Sequence, residues 1–395
     1  MNSVCFYNGT VLTGFSAMEH CAVLVEGGQI SDVFSLKRLE QSNLDSSVKL
    51  IDIKGSFLAP GFIDTHIHGI GGYGTDDAGI DDKQTGTESV LAMSRLLAEY
   101  GVTAFNPTLY PGEREKMLKA VREISNGIGK EEGARIMGLH LEGPFISPDR
   151  LGVQKPETVQ AVDLDYMEKL WEASSGKIVN MTVAPELKHM RELALFCIKK
   201  GIVLQAGHTN AEYENMLEGM QKGILHSTHF FNAMRRLDHR NPNAVGAILI
   251  HPEMSCEIIA DGFHVHPDLF KLLLRNKPID KIVLVTDGLK PTEQKEEPFF
   301  ANNEEVYNNN GVFFRKCDNV IAGSGLTMIR GIKNLVAGGF SLEDAVKTAA
   351  LNPAQIMRYN NQGAIIPGRL ADITVFDSNY EIQYVMIGGK IVKQP

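Results

Sequence analysis

Residues 60–69 read PGFIDTHIHG, and this stretch decides the fold, because His66 and His68 sit two apart in a run that otherwise has the composition of a buried strand. Residues i and i+2 of a strand project to the same face, so the two imidazoles converge on one point at the strand's end. That convergence suits a metal ion. Taken alone, a His-x-His pair beside a turn arises by chance about as often as by function. The surroundings favour the metal: a Pro-Gly lead-in, Asp64, and a glycine-rich exit at Gly69, Gly71, Gly72 and Gly74 that leaves backbone room beside a ligand.

Working outward from this strand, apolar β runs alternate with amphipathic helical stretches. The candidate strands are FLAPGFIDTHI (57–67), VTAFNPTLY (102–110), RIMGLHLEGPF (135–145), IVNMTVAPE (178–186), IVLQAGHT (202–209), LHSTHFFN (225–232), SCEIIADGF (255–263) and KIVLVTDG (281–288). Helical patterns lie between most of them, for example over 86–99, 113–126, 188–200 and 210–221. Alternation in that number predicts an α/β protein with a parallel (β/α)8 TIM-type barrel. Upstream, VCFYNGTVLTG, CAVLVEGGQISDVF and VKLIDIKG read as short strands with turns, and the tail GAIIPGRLADITVFDSNYEIQYVMIGGKIV returns to β alternation. The ends therefore pair into a small, discontinuous, β-sandwich-like domain (1–57 and 360–395) flanking a catalytic barrel (58–359). The polar ANNEEVYNNNG (301–311) reads as either a mobile loop or a hairpin beside the barrel mouth, followed by helices near 326–337 and 341–350.

The chain has 395 residues, 43% of them hydrophobic, which is enough for a large domain with a substantial core. A formal net charge of −9 excludes a nucleic-acid or anionic-membrane surface built on clustered Lys and Arg. An anionic substrate then needs a local positive pocket. Five cysteines (Cys5, Cys21, Cys197, Cys256, Cys317) with no Cys-x-x-Cys spacing fit reduced, buried thiols better than disulfides or a zinc knuckle. No basic-then-apolar leader and no apolar run of spanning length is evident, so a soluble cytoplasmic protein is expected.

In a barrel of this type, ligands gather where the strands end. Five candidate strands end in metal-type groups: His66 and His68, Glu142, His208, His229 and Asp287. Each has a plain alternative, such as a turn cap or a structural histidine. Their coincidence at equivalent ends of strands 1, 3, 5, 6 and 8 favours a shared site. Imidazole and carboxylate suit zinc, iron(II), manganese or cobalt. Such an ion lowers the pKa of its water from 15.7 to about 7, which makes hydrolysis the default reaction. Asp287 can then take the water's proton and pass it to a leaving group.

The motifs PGFIDTHIHG, HLEGPF (140–145), GHT (207–209), THFFNAM (228–234), ADGFHV (260–265), VTDG (285–288) and AGSGLTM (322–328) together resemble the amidohydrolase superfamily. HLEGPF with THFFNAM and ADGFHV narrows the resemblance to its N-acetylglucosamine-6-phosphate deacetylases. The resemblance implies hydrolysis of the acetamide of N-acetylglucosamine 6-phosphate to glucosamine 6-phosphate and acetate. It implies one or two divalent ions per subunit: Glu142, His208 and His229 at the tighter site, and His66 and His68 with Asp287 nearby at a second. It further implies that Asn232, the backbone at Ala233, and His264 meet the sugar phosphate. By the same resemblance, Arg240 in HRNPNAVGAI reaches the phosphate of the neighbouring subunit in a homodimer. Gln154, in LGVQ, stands where some relatives place a histidine that polarises the acetyl carbonyl. An amide donates a hydrogen bond but carries no positive charge. The rival readings are deacetylation of the galactosamine epimer, another amidohydrolase reaction on a cyclic amide, and a non-catalytic scaffold on the same barrel.

Overall fold

The His-x-His strand, β1 (Phe62–Ile67), is the first of eight parallel strands in the computed structural model, which describes residues 3–41, 44–80 and 85–395. Residues 1–2, 42–43 and 81–84, which fall inside the expected domain ranges, lie outside the described residues. The other barrel strands are β2 (Val102–Leu109), β3 (Leu139–Glu142), β4 (Ile178–Val183), β5 (Val203–Ala206), β6 (His226–Ser227), β7 (Ser255–Ile259) and β8 (Ile282–Val285). They pair in sequence order, all parallel. Closure occurs at the mouth, where Ile67 bridges to Gly288 and the Asp287 N–H donates to His66 O at 2.9 Å. Buried on both faces, these strands lack the period-2 polarity of a half-exposed sheet, as parallel strands under helices should.

A helix follows each strand: α1 (Gly86–Glu99), α2 (Arg114–Ser125), α3 (Leu164–Ala173), α4 (Met190–Lys200), α5 (Tyr213–Gln221), α6 (Asn243–Ile250), α7 (Asp268–Asn276) and, after an inserted sheet, α8 (Met328–Ala337). Local sequence sets their ends. Thr85 and Glu88 form a reciprocal capping box that starts α1, and Gly201, at φ +77°, ends α4. Helix α1 buries Val90, Met93 and Leu97, an i, i+3, i+7 stripe, against the barrel. In α6 six of the eight residues are buried, so the helix has no polar face and its sequence shows no 3.6-residue period.

The expected strand over 57–67 divides at Gly61. Phe57–Pro60 leaves the barrel and pairs with Ile373–Phe376 and Val4–Leu12, while β1 turns into the barrel. A side chain at 61 would place its Cβ 2.1 Å from the Thr103 hydroxyl oxygen, so only glycine permits this approach. The terminal strands form one eight-stranded sheet. It curls until the turn at Gly28 and Gln29 meets Leu370 and Ala371 and encloses Val4, Phe6, Val23, Ile30, Leu58, Ile373 and Met386, the sandwich-like arrangement expected.

Of the two readings of ANNEEVYNNNG, the hairpin holds. Glu304–Asn309 and Val312–Arg315 pair antiparallel across Asn310 and Gly311, both at positive φ, within a four-stranded sheet completed by Phe299–Ala301 and Ile321–Ser324. Its last strand is pinned to the mouth by Leu289 N–H to Ser324 O at 3.1 Å and Ser324 N–H to Asp287 O at 3.2 Å.

Candidate metal centre

All six metal-type residues arrive at one end of the barrel. His66 is the last but one residue of β1, with His68 one residue beyond the strand; Glu142 ends β3; His208 and His229 lie two residues past β5 and β6 respectively; and Asp287 lies two past β8. Three of them hold left-handed backbone: His208 at φ +44°, His229 at +21° and Asp287 at +47°. Such conformations cost non-glycine residues on the order of 1–3 kcal/mol each and persist where the surroundings fix them. Here they bend the chain so that side chains leaving different strands face a common centre.

Two groups result, His66 with His68 and Asp287, and Glu142 with His208 and His229, the ligand atoms within each lying within 4.8 Å of one another. Glu142 Oε1 lies 3.1 Å from His208 Nε2 and 3.0 Å from His229 Nε2. The groups adjoin: His66 Nε2 is 3.5 Å from both Glu142 Oε1 and Asp287 Oδ1, and His68 Nε2 is 3.4 Å from Glu142 Oε2 and Asp287 Oδ1.

The donor set fits a divalent cation. His208 Nδ1 is 3.0 Å from the Arg150 carbonyl, which only accepts, so Nδ1 carries the proton and Nε2 presents a lone pair inward. That lone pair faces a carboxylate oxygen and, 3.0 Å away, His229 Nε2. A lone pair set against a carboxylate oxygen in this way is stabilised by a cation between them. His66 Nε2 is buried without a hydrogen-bond partner, as a nitrogen kept for a ligand bond would be. Among the described residues no thiolate adjoins either group, which matches a harder ion than copper(I).

Charge balance in the site is local. Burial raises the Glu142 carboxyl, but His208 and the other imidazoles more than reverse this and hold it well below the usual carboxylate range. Burial likewise disfavours a charged His66, while the Asp287, Glu257 and Glu142 carboxylates raise the imidazole and so favour positive charge at this point, a charge that a cation bound at Nε2 would supply instead of a proton. Asp64, wholly buried, is pushed up by burial to about 7 although the Thr286 hydroxyl and backbone N–H donate to it. Its role in the structure is to tie β1 to the residue before Asp287.

Five of the six residues, all but the wholly buried His66, open onto a cavity of about 130 Å³, lined also by Gln154, Asn232, Ala233, His264, Tyr110, Ile321, Ala322 and Gly323. Ala233, at φ +50°, gives the loop after β6 a sharp turn beside the cavity. His264 Nδ1 pairs with Asp261 Oδ2 at 2.6 Å. Gln154 Nε2 donates to Glu142 Oε2 at 2.6 Å, while its Oε1 is buried without a partner. Arg240 does not line this cavity and is exposed, its backbone N–H held by Asp238 at 2.8 Å. A larger cavity of about 230 Å³ lies across Tyr110 and includes none of the six.

Two neighbours of the site are absent from the sequence reading. Tyr110 stacks on His68 with ring centroids 3.7 Å apart and planes 5° from parallel. Glu257 is wholly buried on β7 and contacts His66 Nδ1 at 3.0 Å. The signal for Glu257 is a lone acid inside the apolar run SCEII.

A (β/α)8 barrel with histidines and carboxylates at these strand ends defines a class of metal-dependent hydrolases, and the model of the Amidohydrolase family matches residues 57–392. The chain belongs to the amidohydrolase family. It is 32% identical over 342 residues to the N-acetylglucosamine-6-phosphate deacetylase of Bacillus subtilis strain 168, covering 85% of this chain and 84% of the relative. It is 28% identical over 393 residues to the enzyme of that name from Lysinibacillus sphaericus, covering 98% and 97%. Among solved structures it is similar, at 25% identity and a TM-score of 0.89 over 99% of this chain and 100% of the other, to an aspartate-to-alanine variant of N-acetyl-D-glucosamine-6-phosphate deacetylase from Mycobacterium smegmatis in complex with N-acetyl-D-glucosamine-6-phosphate.

Proposed function

We propose that this protein is a divalent-metal-dependent deacetylase that hydrolyses N-acetylglucosamine 6-phosphate to glucosamine 6-phosphate and acetate. The observation that carries the reading is the convergence of six metal-type side chains in two adjoining groups, five of them lining one cavity, on a chain whose relatives bear that activity across almost its full length. The chain divides by function into a terminal β domain (1–57 and 360–395) and a catalytic barrel (58–359), with Leu58–Pro60 at the boundary pairing into the terminal sheet.

Glu142, His208 and His229 would hold one ion, and His66, His68 and Asp287 would provide for a second. When bound, a divalent ion would supply Lewis acidity, making water more acidic and the amide carbonyl more electrophilic. Asp287 takes the proton from the water as its oxygen bonds to the carbonyl carbon, then delivers that proton to the nitrogen as the C–N bond breaks. The Gln154 amide, anchored on Glu142, orients that carboxylate and lies on the acetamide side of the cavity. Asn232, the Ala233 backbone and His264 bind the sugar phosphate, and Arg240 serves the phosphate of a second subunit in a homodimer. The cellular setting is the cytoplasm; among the described residues no helix is long and apolar enough to cross a membrane.

The test is a side-by-side assay of acetate release from N-acetylglucosamine 6-phosphate and its galactosamine epimer. The proposal expects clear preference for the former. Equal or reversed preference, or release from neither, would overturn the substrate assignment.

A further inference from the structure

Below the metal centre, the barrel interior holds a chain of buried polar side chains where apolar packing would be cheaper. The Tyr359 hydroxyl donates to Asn106 Oδ1 at 2.9 Å, Asn106 Nδ2 to Asn180 Oδ1 at 3.2 Å, Asn180 Nδ2 to Gln205 Oε1 at 2.7 Å, and Gln205 Nε2 to Glu257 Oε1 at 2.6 Å. The other carboxylate oxygen, Oε2, receives the Thr228 hydroxyl at 2.9 Å and the His229 backbone N–H at 3.1 Å, and meets His66 Nδ1 at 3.0 Å. Asn106, Asn180, Gln205, Thr228 and Glu257 are all fully buried.

The direction of this chain is fixed by one backbone group. Asn180 Nδ2 also lies 3.3 Å from the Thr65 carbonyl, which can only accept. Asn180 therefore keeps its NH2 toward β1, which makes Gln205 turn its carbonyl to Asn180 and its NH2 to Glu257. Residue 257 must then accept at Oε1 from Gln205 and at Oε2 from the His229 N–H. Only a carboxylate accepts at both ends.

We propose that Glu257 is a positioning residue that holds His66 in its Nδ1–H form, with the polarity of the amide chain ensuring that an acceptor faces that nitrogen. The consequence is that the His66 Nε2 lone pair, 3.5 Å from Glu142 and Asp287, is kept for the ion. This rests on the reading that His66 ligates a metal through Nε2. Glu257→Gln, with the polarity of Gln205 unchanged, turns an NH2 toward His66. The Nδ1–H form then loses its carboxylate acceptor and keeps only the Thr228 hydroxyl, 3.0 Å away, so the proton shifts toward Nε2, where it blocks the ligand position. Exchanging the two side chains, Gln205→Glu with Glu257→Gln, restores polarity with the same atoms: the new carboxylate accepts from Asn180 and from the new amide, whose oxygen again faces His66.

The experiment measures zinc affinity by competition with a chromophoric chelator, starting from metal-stripped full-length protein. Wild type, His66→Ala, Glu257→Gln and the double exchange are compared. His66→Ala shows what loss of this ligand does; zinc binding unchanged in that variant would refute the ligand reading itself. Given a loss there, Glu257→Gln is expected to weaken zinc binding about 10–100-fold, the usual range for such outer partners. The double exchange should recover most of that loss. Wild-type zinc affinity in Glu257→Gln, or a folded double exchange no better than the single variant, would overturn the proposal. A measurement on wild type is independent of how the variants fold: in zinc-loaded, 15N-histidine-labelled protein, His66 should carry its proton on Nδ1, and a proton on Nε2 would contradict the assignment.

Discussion

The Asp287 backbone N–H donates to the His66 carbonyl at 2.9 Å, so the hydrogen bond that closes the barrel between its last and first strands also joins the two ends of the metal centre. Asp287 O in turn accepts from Ser324 N–H at 3.2 Å. The aspartate's left-handed backbone is thus held on both sides, and its carboxylate is aimed by the fold. Because Asp287→Asn keeps this backbone setting, it removes the proton acceptor with little change of shape. Turnover should fall by about 10²–10⁴ with KM changed far less, if general acid–base catalysis is the main loss. Steady-state kinetics at saturating metal check this, and a variant retaining most of its turnover would transfer the proton role elsewhere.

His208 meets Glu142 and His229 within 3.1 Å, and no other described residue replaces its inward nitrogen. His208→Ala should lose both the bound ion and turnover while the barrel, whose core lies in other residues, stays folded. Metal analysis beside circular dichroism is the measurement. Full metal content with normal turnover would defeat the assignment.

His264 and Asp261 give a pH signature. Burial lowers the His264 imidazole, but the hydrogen bond and charge of Asp261 raise it above its ordinary 6.5. Burial raises Asp261, and the same pairing takes it below 3.8. A raised histidine contributes stability that is complete below 6.5 and is lost as pH rises through its folded value. A lowered aspartate contributes stability above 3.8 that is lost as pH falls through its folded value. The Tm advantage of wild type over His264→Gln should therefore peak in mildly acidic buffer and shrink on the alkaline side. An advantage independent of pH would mean that the imidazole acts through packing.

The sharp turn at Gly61 is a stability prediction. An added methyl meets the Thr103 side chain at 2.1 Å, so Gly61→Ala must separate β1 from β2 or distort the junction with the terminal sheet. A loss of about 1–3 kcal/mol is expected from overpacking. Denaturant unfolding at fixed metal content measures it, and unchanged stability would show that the junction yields freely.

Arg240 is exposed and outside the cavity of its own chain, which leaves its proposed role to a second subunit. Arg240→Ala should weaken binding of the phosphorylated sugar far more than that of N-acetylglucosamine, because guanidinium binds phosphate bidentately. Mixing Asp287→Asn with Arg240→Ala under subunit exchange gives mixed dimers with one doubly defective and one intact site. With half the dimers mixed, roughly a quarter of all sites should recover. Confirmed exchange without recovery would rule out action across the interface.

Five of the eight strand ends were legible in the sequence because each of these carries a metal-type residue beside a turn signal, which separates His66, Glu142, His208, His229 and Asp287 from ordinary core positions. The eight-strand count followed from the same runs. Helix α6 was illegible because burial nearly all round removes the periodicity by which a helix is read. The split at Gly61 was hidden because the two flanking strands are both apolar and only their partners, far apart in sequence, distinguish them. Glu257 escaped notice since its meaning comes from Gln205, His66 and Thr228, which reach it from three other strands or strand ends. Tyr110, read only as the end of a strand, gains its place from stacking on His68.

The most direct test of the central claim is acetate release from N-acetylglucosamine 6-phosphate by protein stripped of metal, with removal verified by elemental analysis, and then by the same protein reloaded separately with zinc, iron(II), manganese or cobalt. The account predicts turnover near background when stripped and restored by at least one of these ions, with glucosamine 6-phosphate and acetate formed in equal amounts. Undiminished turnover in the verified metal-free protein, or no acetate with any of the four ions, would contradict it.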